Sequence, residues 1–136
     1  SGSVVLLGSQ EERAEIGPIL AALPPERTID LVGRAELLVT AAWLARADLY
    51  VGNDSGLTHL AAAAGTPTLG LFGPGMPTRY RPWGPSAAYR IAEEAPNRII
   101  DLCKIDDSLA LAEMEKLSVA DVCTAAEALY RRTRTP

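Results

Sequence analysis

A strand, a turn, a helix and a second strand follow one another between residues 49 and 72. The apolar run Leu49–Gly52 enters an Asn-Asp-Ser-Gly turn, an alanine-rich helix spans Leu57–Ala64, and the apolar run Thr68–Phe72 follows Gly65. A helix that begins at such a turn, just past a strand, leaves its first backbone N–H groups unpaired. The helix dipole adds partial positive charge there, which favours a bound phosphate. The segment therefore predicts an anion-binding helix end.

The same alternation occupies the preceding part of the chain. The apolar run Val4–Gly8 and the short segment Ile29–Val32, which ends at Gly33, predict two more strands, and helical spacing predicts helices over 9–23 and 35–47. Because Val4–Gly8 is apolar throughout, we expect it to be buried on both faces. Four strands alternating with three helices through Gly and Pro junctions predict an α/β fold, a Rossmann-like parallel sheet with helices on both faces.

Further elements are predicted locally. The helix over 35–47 places Leu37, Leu38 and Leu44 on one packed face, and Trp43 is expected in the core. Residues 73–85 contain three glycines and four prolines, which predicts no regular structure. Short strands are predicted over 89–92 and 98–102, and a capping box at Ser118 predicts a C-terminal helix over about 118–133.

Composition restricts the class of protein. The 136 residues predict a single domain over 1–136, and a net charge of −4 argues against a nucleic-acid partner. No apolar run approaches the ~20 residues of a membrane span. Two cysteines and one histidine predict neither a disulfide framework nor a metal site, so we expect a cytoplasmic domain. Residues 1–3, Ser-Gly-Ser, are typical of a cloning scar, and a chain that begins directly in a strand is expected to be part of a longer protein.

Three loops are expected to lie at one edge of the sheet. Ligands of open parallel sheets bind beyond the carboxyl ends of the strands, which here are followed by residues 8–12, 33–36 and 53–59. None of these loops has the spaced glycine triplet of a dinucleotide site or the lysine of a nucleoside-triphosphatase loop.

Each candidate residue also has a structural explanation. Asp54 and Ser55 suit a helix cap, His59 suits a packed side chain, and Glu11 and Glu12 suit a helix N-terminus. The charge distribution favours the functional interpretation of the turn: Asp54 is the only acidic residue between residues 49 and 92, a segment that holds three arginines.

The loop after the fourth predicted strand has two equally supported interpretations. Arg79, Arg81 and Trp83 fit a mobile basic flap over a ligand. They fit equally well a solvated loop that one aromatic side chain anchors.

The turn and its surroundings resemble family 9 glycosyltransferases, the heptosyltransferases of the bacterial lipopolysaccharide inner core. The similarity lies in Asn53-Asp54-Ser55-Gly56-x-x-His59, in the run from Leu60 to Pro67, and in Leu71-Phe72-Gly73-Pro74. It extends to the motifs Gly8-Ser9-x-Glu11, Gly33-Arg34, Pro77-Thr78-Arg79 and Pro82-Trp83-Gly84-Pro85. The resemblance implies the C-terminal, donor-binding half of a GT-B glycosyltransferase, with the N-terminal acceptor domain absent from this chain.

The resemblance also implies roles for individual residues. The diphosphate would be bound by Ser55, Gly56 and Leu57, with His59 close to it, and Asp54 would bind hydroxyls of the sugar. Glu11, or Glu12 if the loop shifts by one residue, would bind the ribose, and Gly33 and Arg34 would lie beside the adenine.

The implied reaction inverts the anomeric carbon of a nucleotide-sugar donor, ADP-heptose, with no cofactor and no metal. The acceptor, a lipopolysaccharide-core or other glycan, and the catalytic base belong to the absent domain, so no catalytic residue is expected in this chain. The full enzyme is expected at the inner face of the bacterial inner membrane, associated peripherally. Two alternatives stay open: half of a nucleotide-sugar epimerase, and a non-catalytic nucleotide-binding module.

Overall fold

The computed structural model describes residues 2–73, 75–91 and 107–134, with the backbone alone for residues 107–110. Within these residues the chain is an α/β protein whose strands pair in parallel. It divides into two compact units, residues 1–42 and 43–136, and the single domain predicted over 1–136 stays a prediction. The strands are β1 (Val4–Leu6), β2 (Thr28–Asp30), β3 (Tyr50–Asn53), β4 (Thr68–Phe72) and β5 (Ala87–Ile91); the helices are α1 (Gly17–Ala22), α2 (Leu37–Arg46), α3 (Gly56–Ala63), α4 (Pro77–Tyr80), α5 (Asp107–Glu115) and α6 (Val119–Arg134).

Strands β1 and β2 form the sheet of the first unit. Val4 lies beside Thr28 and Leu6 lies beside Asp30, so the two strands end at the same edge. The predicted strand is confirmed, but the prediction that both its faces are buried is wrong, because Val4 is exposed and Val5 is half-buried. An apolar run favours a strand, whereas burial also depends on what packs against each face.

The connection between β1 and β2 is interrupted. A 3-10 turn covers Glu11–Ala14, and α1 begins at Gly17. A single helix over 9–23, as predicted, is wrong because Pro18 has no N–H to donate and its ring would collide with a carbonyl one turn earlier. Pro18 is tolerated only in a first helical turn, and it stands there in α1.

Strand β4 is the centre of the second unit, whose three-stranded sheet has the order β3-β4-β5. Leu69 and Phe72 of β4 are fully buried, and this strand has the predicted bounds. Ala125 and Leu129 of α6 pack with Leu69 in the hydrophobic core. The C-terminal helix is confirmed within one residue at each end. The strand predicted over 89–92 is confirmed as β5, which begins two residues earlier, at Ala87; the strand predicted over 98–102 lies outside the described residues.

Helix α2 buries a different face from the one predicted. Thr40 and Leu44 are buried, whereas Leu38 is 83% exposed and Trp43 is 36% exposed. The prediction that Leu37 and Leu38 pack and that Trp43 lies in the core is therefore wrong. Because apolar residues occupy nearly every position of this helix, periodicity could not identify its buried side.

The segment 73–85 contains one turn of helix, α4, where no regular structure was expected. Pro77 is the first residue of α4, and its fixed φ suits that position. Pro82 follows shortly after and prevents continuation of the helix.

Candidate functional site

The turn between β3 and α3 presents a helix start without a side-chain cap. β3 ends at Asn53, and Ser55 has an extended backbone (φ −151°, ψ 170°) just before Gly56, the first residue of α3. The Ser55 side chain makes no capping hydrogen bond. Among the described residues, the first N–H groups of α3 are therefore left without a side-chain partner. N–H groups in this arrangement can donate hydrogen bonds to a bound anion.

Hydrogen bonds from both sides fix this turn. The backbone N–H of Asp54 donates to the carbonyl of Leu71 in β4 at 3.0 Å. The backbone N–H of Thr58 donates to the carbonyl of Ser55 at 3.2 Å, and the Thr58 hydroxyl donates to the carbonyl of Asn53 at 2.5 Å. The sequence prediction missed Thr58; its signal is a hydroxyl residue in the first turn of a helix that directly follows a strand.

Open space surrounds the predicted binding residues of this turn. A Cβ atom on Gly56 would meet no other atom within 4 Å. Asp54, Ser55 and His59 are exposed and Leu57 is half-buried. The five residues predicted from this turn therefore lie together at an accessible surface.

The Asp54 carboxyl group has a perturbed environment. Although the residue is exposed overall, its Oδ2 atom occupies the space that a side chain on Gly75 would need. This partial burial raises the pKa of Asp54, and the nearby His59 acts in the opposite direction. The partial removal from solvent thus makes this carboxyl group harder to ionise than that of a free aspartate.

The first turn after β1 holds two glutamates in different ways. The Ser9 N–H donates to the Glu12 carboxylate at 2.6 Å, and the Glu12 N–H donates to the Ser9 hydroxyl at 3.4 Å. This reciprocal pair has the geometry of a capping box and engages Glu12. Hydrogen bonds from its own backbone N–H and from Ser9 lower the pKa of Glu11, which is exposed. Both glutamates are exposed, and the choice of Glu11 over Glu12 as the ribose ligand stays a prediction.

The loop after β2 depends on Gly33. Its φ of +66° lies in the left-handed region, and a Cβ atom there would come within 2.9 Å of the Gln10 Cα atom. The Gly33 N–H donates to the carbonyl of Gly8 at 3.0 Å. Within the first unit, the loops that follow β1 and β2 are therefore joined directly by a hydrogen bond.

An ion pair that the sequence prediction missed supports the same loops. The Arg13 guanidinium lies 2.6 Å from the Asp30 carboxylate and also donates to the carbonyl of Val32 at 3.1 Å. Arg34 approaches Asp30 at 3.6 Å. The Arg13 hydrogen bond holds the pKa of Asp30 below its ordinary value. Because Arg13 and Asp30 are 17 residues apart, no local sequence signal indicates that they meet.

The predicted residues thus fall into two groups, one in each unit. Glu11, Gly33 and Arg34 belong to the first unit, and Asp54, Ser55, Gly56, Leu57 and His59 belong to the second. The prediction that all three loops share one edge of a sheet stays a prediction.

One of the two interpretations of the loop with Arg81 and Trp83 is wrong, the one in which an aromatic side chain anchors the loop. Trp83 is 85% exposed and anchors nothing, whereas Pro82 is buried. Ala87 lies beside Thr68, the first residue of β4, so this loop ends at the opposite edge of the sheet from Asp54. Residues 81–85 and 87–91 line an open cavity of about 760 Å³ along β5.

The described residues contain no cluster of three or more His, Cys, Asp or Glu side chains that could hold a metal ion. In the same part of the chain, no helix has the length and apolar character that crossing a bilayer requires.

Comparison with known proteins identifies the family of this chain. The pattern of glycosyltransferase family 9 (heptosyltransferase) matches residues 1–102. Lipopolysaccharide heptosyltransferase 2 of Salmonella typhimurium is 39% identical over 77 residues, which cover 54% of this chain and 22% of that protein. The chain thus spans less than a quarter of the length of this curated relative.

Two solved structures share the fold. The glycosyl transferase family 9 protein from Veillonella parvula gives a TM-score of 0.76 at 22% identity, over 96% of this chain and 37% of its own. The ADP-heptose lps heptosyltransferase II of E. coli gives 0.68 at 28% identity, over 98% of this chain and 38% of its own. With the family pattern matched over most of its length, this chain belongs to glycosyltransferase family 9, the heptosyltransferase family.

Proposed function

We propose that this chain is the donor-binding part of a heptosyltransferase and that it holds a nucleotide-sugar, ADP-heptose, by its diphosphate. The single observation that carries the proposal is the uncapped start of α3, where Ser55 is extended and Gly56 faces open space. Family membership supports it, as does the name of the E. coli structural neighbour, an ADP-heptose heptosyltransferase.

In this proposal the N–H groups of Ser55, Gly56 and Leu57 bind the diphosphate, with His59 beside it. Asp54 accepts hydrogen bonds from sugar hydroxyls. Glu11 binds the ribose, and Gly33 and Arg34 lie against the adenine.

The chemical advantage of this arrangement concerns the leaving group. When an acceptor hydroxyl attacks the anomeric carbon, the bond to the diphosphate breaks and negative charge grows on the diphosphate oxygens. N–H donors already fixed at a helix start bind that growing charge more strongly in the transition state than in the ground state. The donors need no divalent metal for this task.

The acceptor, a lipopolysaccharide-core glycan, and the general base are proposed to be supplied by residues outside this chain. On that basis the 136-residue chain binds the donor and transfers no heptose by itself. Peripheral association of the complete enzyme with the cytoplasmic face of the inner membrane is part of the same proposal.

Isothermal titration calorimetry of the chain with ADP, ADP-heptose and adenosine tests the proposal. Charge-assisted hydrogen bonds contribute about 1.5–3 kcal/mol each, so even one of them gives ADP ~10-fold higher affinity than adenosine. The preference is expected to persist in EDTA. Equal affinity for ADP and adenosine would overturn the proposal.

A further inference from the structure

Thr58 is placed to control the turn that precedes it. It is the third residue of α3, and its side chain is buried, with 1% of the residue exposed. Its hydroxyl lies 2.5 Å from the carbonyl oxygen of Asn53, the last residue of β3. The side chain thus ties the start of the helix to the end of the strand across the exposed residues Asp54 and Ser55.

The peptide group between Asn53 and Asp54 is consequently held at both of its polar atoms. Its carbonyl accepts the Thr58 hydroxyl, and its N–H donates to Leu71 of β4 at 3.0 Å. Because a peptide group is planar, fixing both atoms fixes the orientation of the whole group. The backbone of Ser55 and Gly56 therefore starts from a defined direction.

Tyr50 supports Thr58 from the side. The Tyr50 ring lies over Gly52, where a Cβ atom would overlap the tyrosine hydroxyl and come within 2.6 Å of Cζ. This places the Tyr50 hydroxyl 3.4 Å from the Thr58 oxygen. Thr58 donates its single hydroxyl proton to the Asn53 carbonyl. In the longer contact the Tyr50 hydroxyl is therefore the donor and the Thr58 oxygen the acceptor.

We propose that Thr58, supported by Tyr50, is a positioning residue that sets the direction of the diphosphate-binding N–H groups. The inference rests on the proposed function, because it names the group that orients the same site. Donors improve binding and leaving-group stabilisation only when they already point at the charge they bind. Loss of the Thr58 hydroxyl would leave the Asn53 carbonyl without its donor. The peptide group between Asn53 and Asp54 could then rotate.

A second buried threonine provides a matched control. Thr68 is fully buried in β4, and its hydroxyl donates to the carbonyl of Thr66 at 2.7 Å, away from the turn. Thr58→Val and Thr68→Val each remove one buried hydroxyl and leave one carbonyl without its donor. A purely structural contribution would therefore affect both variants alike.

Two measurements on the 136-residue chain test the inference: calorimetric affinity for ADP, and backbone amide hydrogen exchange by NMR. Thr58→Val is expected to lower ADP affinity ~10-fold or more and to speed exchange of the Asp54 amide ~10-fold relative to the core amides. Thr58→Ser, which keeps the hydroxyl, and Thr68→Val are expected to stay within ~3-fold of the parent chain in both measurements.

The inference is overturned if Thr58→Val has the same ADP affinity and the same Asp54 amide exchange rate as Thr68→Val. If Thr58→Val does not fold, Tyr50→Phe serves in its place, with an expected ~3-fold loss of ADP affinity and faster Asp54 exchange. No change in either measurement then contradicts the inference. A parent chain that binds ADP no better than adenosine overturns the proposed function instead, and the Asp54 exchange rate still reports whether Thr58 orients the turn.

Discussion

The Oδ2 atom of Asp54 lies 2.7 Å from the position that a Cβ atom on Gly75 would occupy. The absence of a side chain at Gly75 therefore makes room for the carboxyl group proposed to bind the sugar. The ring of Phe72 also lies close to this position, at 3.1 Å.

Gly75→Ala is expected to displace the Asp54 carboxyl group and to weaken binding of ADP-heptose ~10-fold, with ADP affected by less than ~3-fold. The physical reason is that a real Cβ atom essentially never comes within 3.0 Å of another heavy atom, so Asp54 must move. Calorimetry with both ligands measures the difference. An equal loss for ADP and ADP-heptose would contradict the assignment of Asp54 to the sugar.

Gly56→Ala separates an anion site from an ordinary helix cap. Alanine in place of glycine at a compatible helical position stabilises a protein by up to about 1 kcal/mol, and Gly56 has space for the methyl group. The same methyl group would stand where a diphosphate approaches, so ADP affinity is expected to fall ~10-fold while the unfolding midpoint stays or rises. Urea unfolding and calorimetry give both values.

Gly17→Ala serves as the binding control for Gly56→Ala, since Gly17 is also the first residue of a helix. Gly17→Ala is expected to leave ADP binding unaltered and to gain less stability than Gly56→Ala, because its Cβ atom would crowd the ring of Pro18. A gain in stability without loss of ADP binding in Gly56→Ala would show that the helix start is only structural.

Much of the second unit could be predicted from the sequence because its signals are local. The apolar run Thr68–Phe72 gives the bounds of β4, and the glycine that follows α3 marks the end of that helix. Burial of α2 could not be predicted in the same way, since Leu38 and Leu44 are equally apolar and only the tertiary structure distinguishes them. Pro18 was a local signal whose steric effect outweighs the helical spacing around it.

In the candidate site, too, local sequence predicts some features and others depend on the tertiary structure. Asp54, Ser55 and Gly56 are consecutive, so one turn brings them together and the motif is sufficient to find them. Arg13 and Asp30 are 17 residues apart and meet only because β1 and β2 pair in parallel. A contact of that kind requires the fold, and no spacing rule predicts it.

Gly33 and Gly65 both have positive φ, at +66° and +81°, but only Gly33 is crowded. Gly65→Ala is expected to cost about 1–2 kcal/mol for the left-handed backbone, and Gly65→Asn less, because asparagine tolerates this conformation. Gly33→Ala and Gly33→Asn are both expected to cost more, since either Cβ atom would press on the Gln10 backbone. Urea unfolding of the four variants checks this order, and rescue by Gly33→Asn would contradict it.

Asp30→Asn is expected to destabilise the chain at pH 7 and to have no effect in acid. Arg13 lowers the pKa of Asp30 in the folded chain below the ordinary value of 3.8. A lowered carboxyl pKa contributes stability above the unfolded value, and that contribution disappears as the pH falls through the folded value. Urea midpoints of the parent and variant should begin to converge as the pH falls below 3.8 and coincide below the folded pKa of Asp30. A gap that stays constant as the pH falls would show that the pair acts through packing alone.

Asp54→Asn should give the opposite dependence, because partial burial raises the pKa of Asp54 and His59 offsets this only in part. When folding raises the pKa of a carboxyl group, its charged form destabilises the folded state at pH values above the folded pKa. This destabilisation disappears at pH values below the ordinary pKa of 3.8. The variant is therefore expected to be as stable as the parent chain or more stable at pH 7, and to lose any advantage in acid.

The affinity of Asp54→Asn for ADP-heptose should nevertheless fall ~10-fold, since an amide replaces the carboxylate proposed to accept hydrogen bonds from the sugar hydroxyls. Lower stability at pH 7 together with unchanged ADP-heptose binding would make Asp54 a structural residue of the turn.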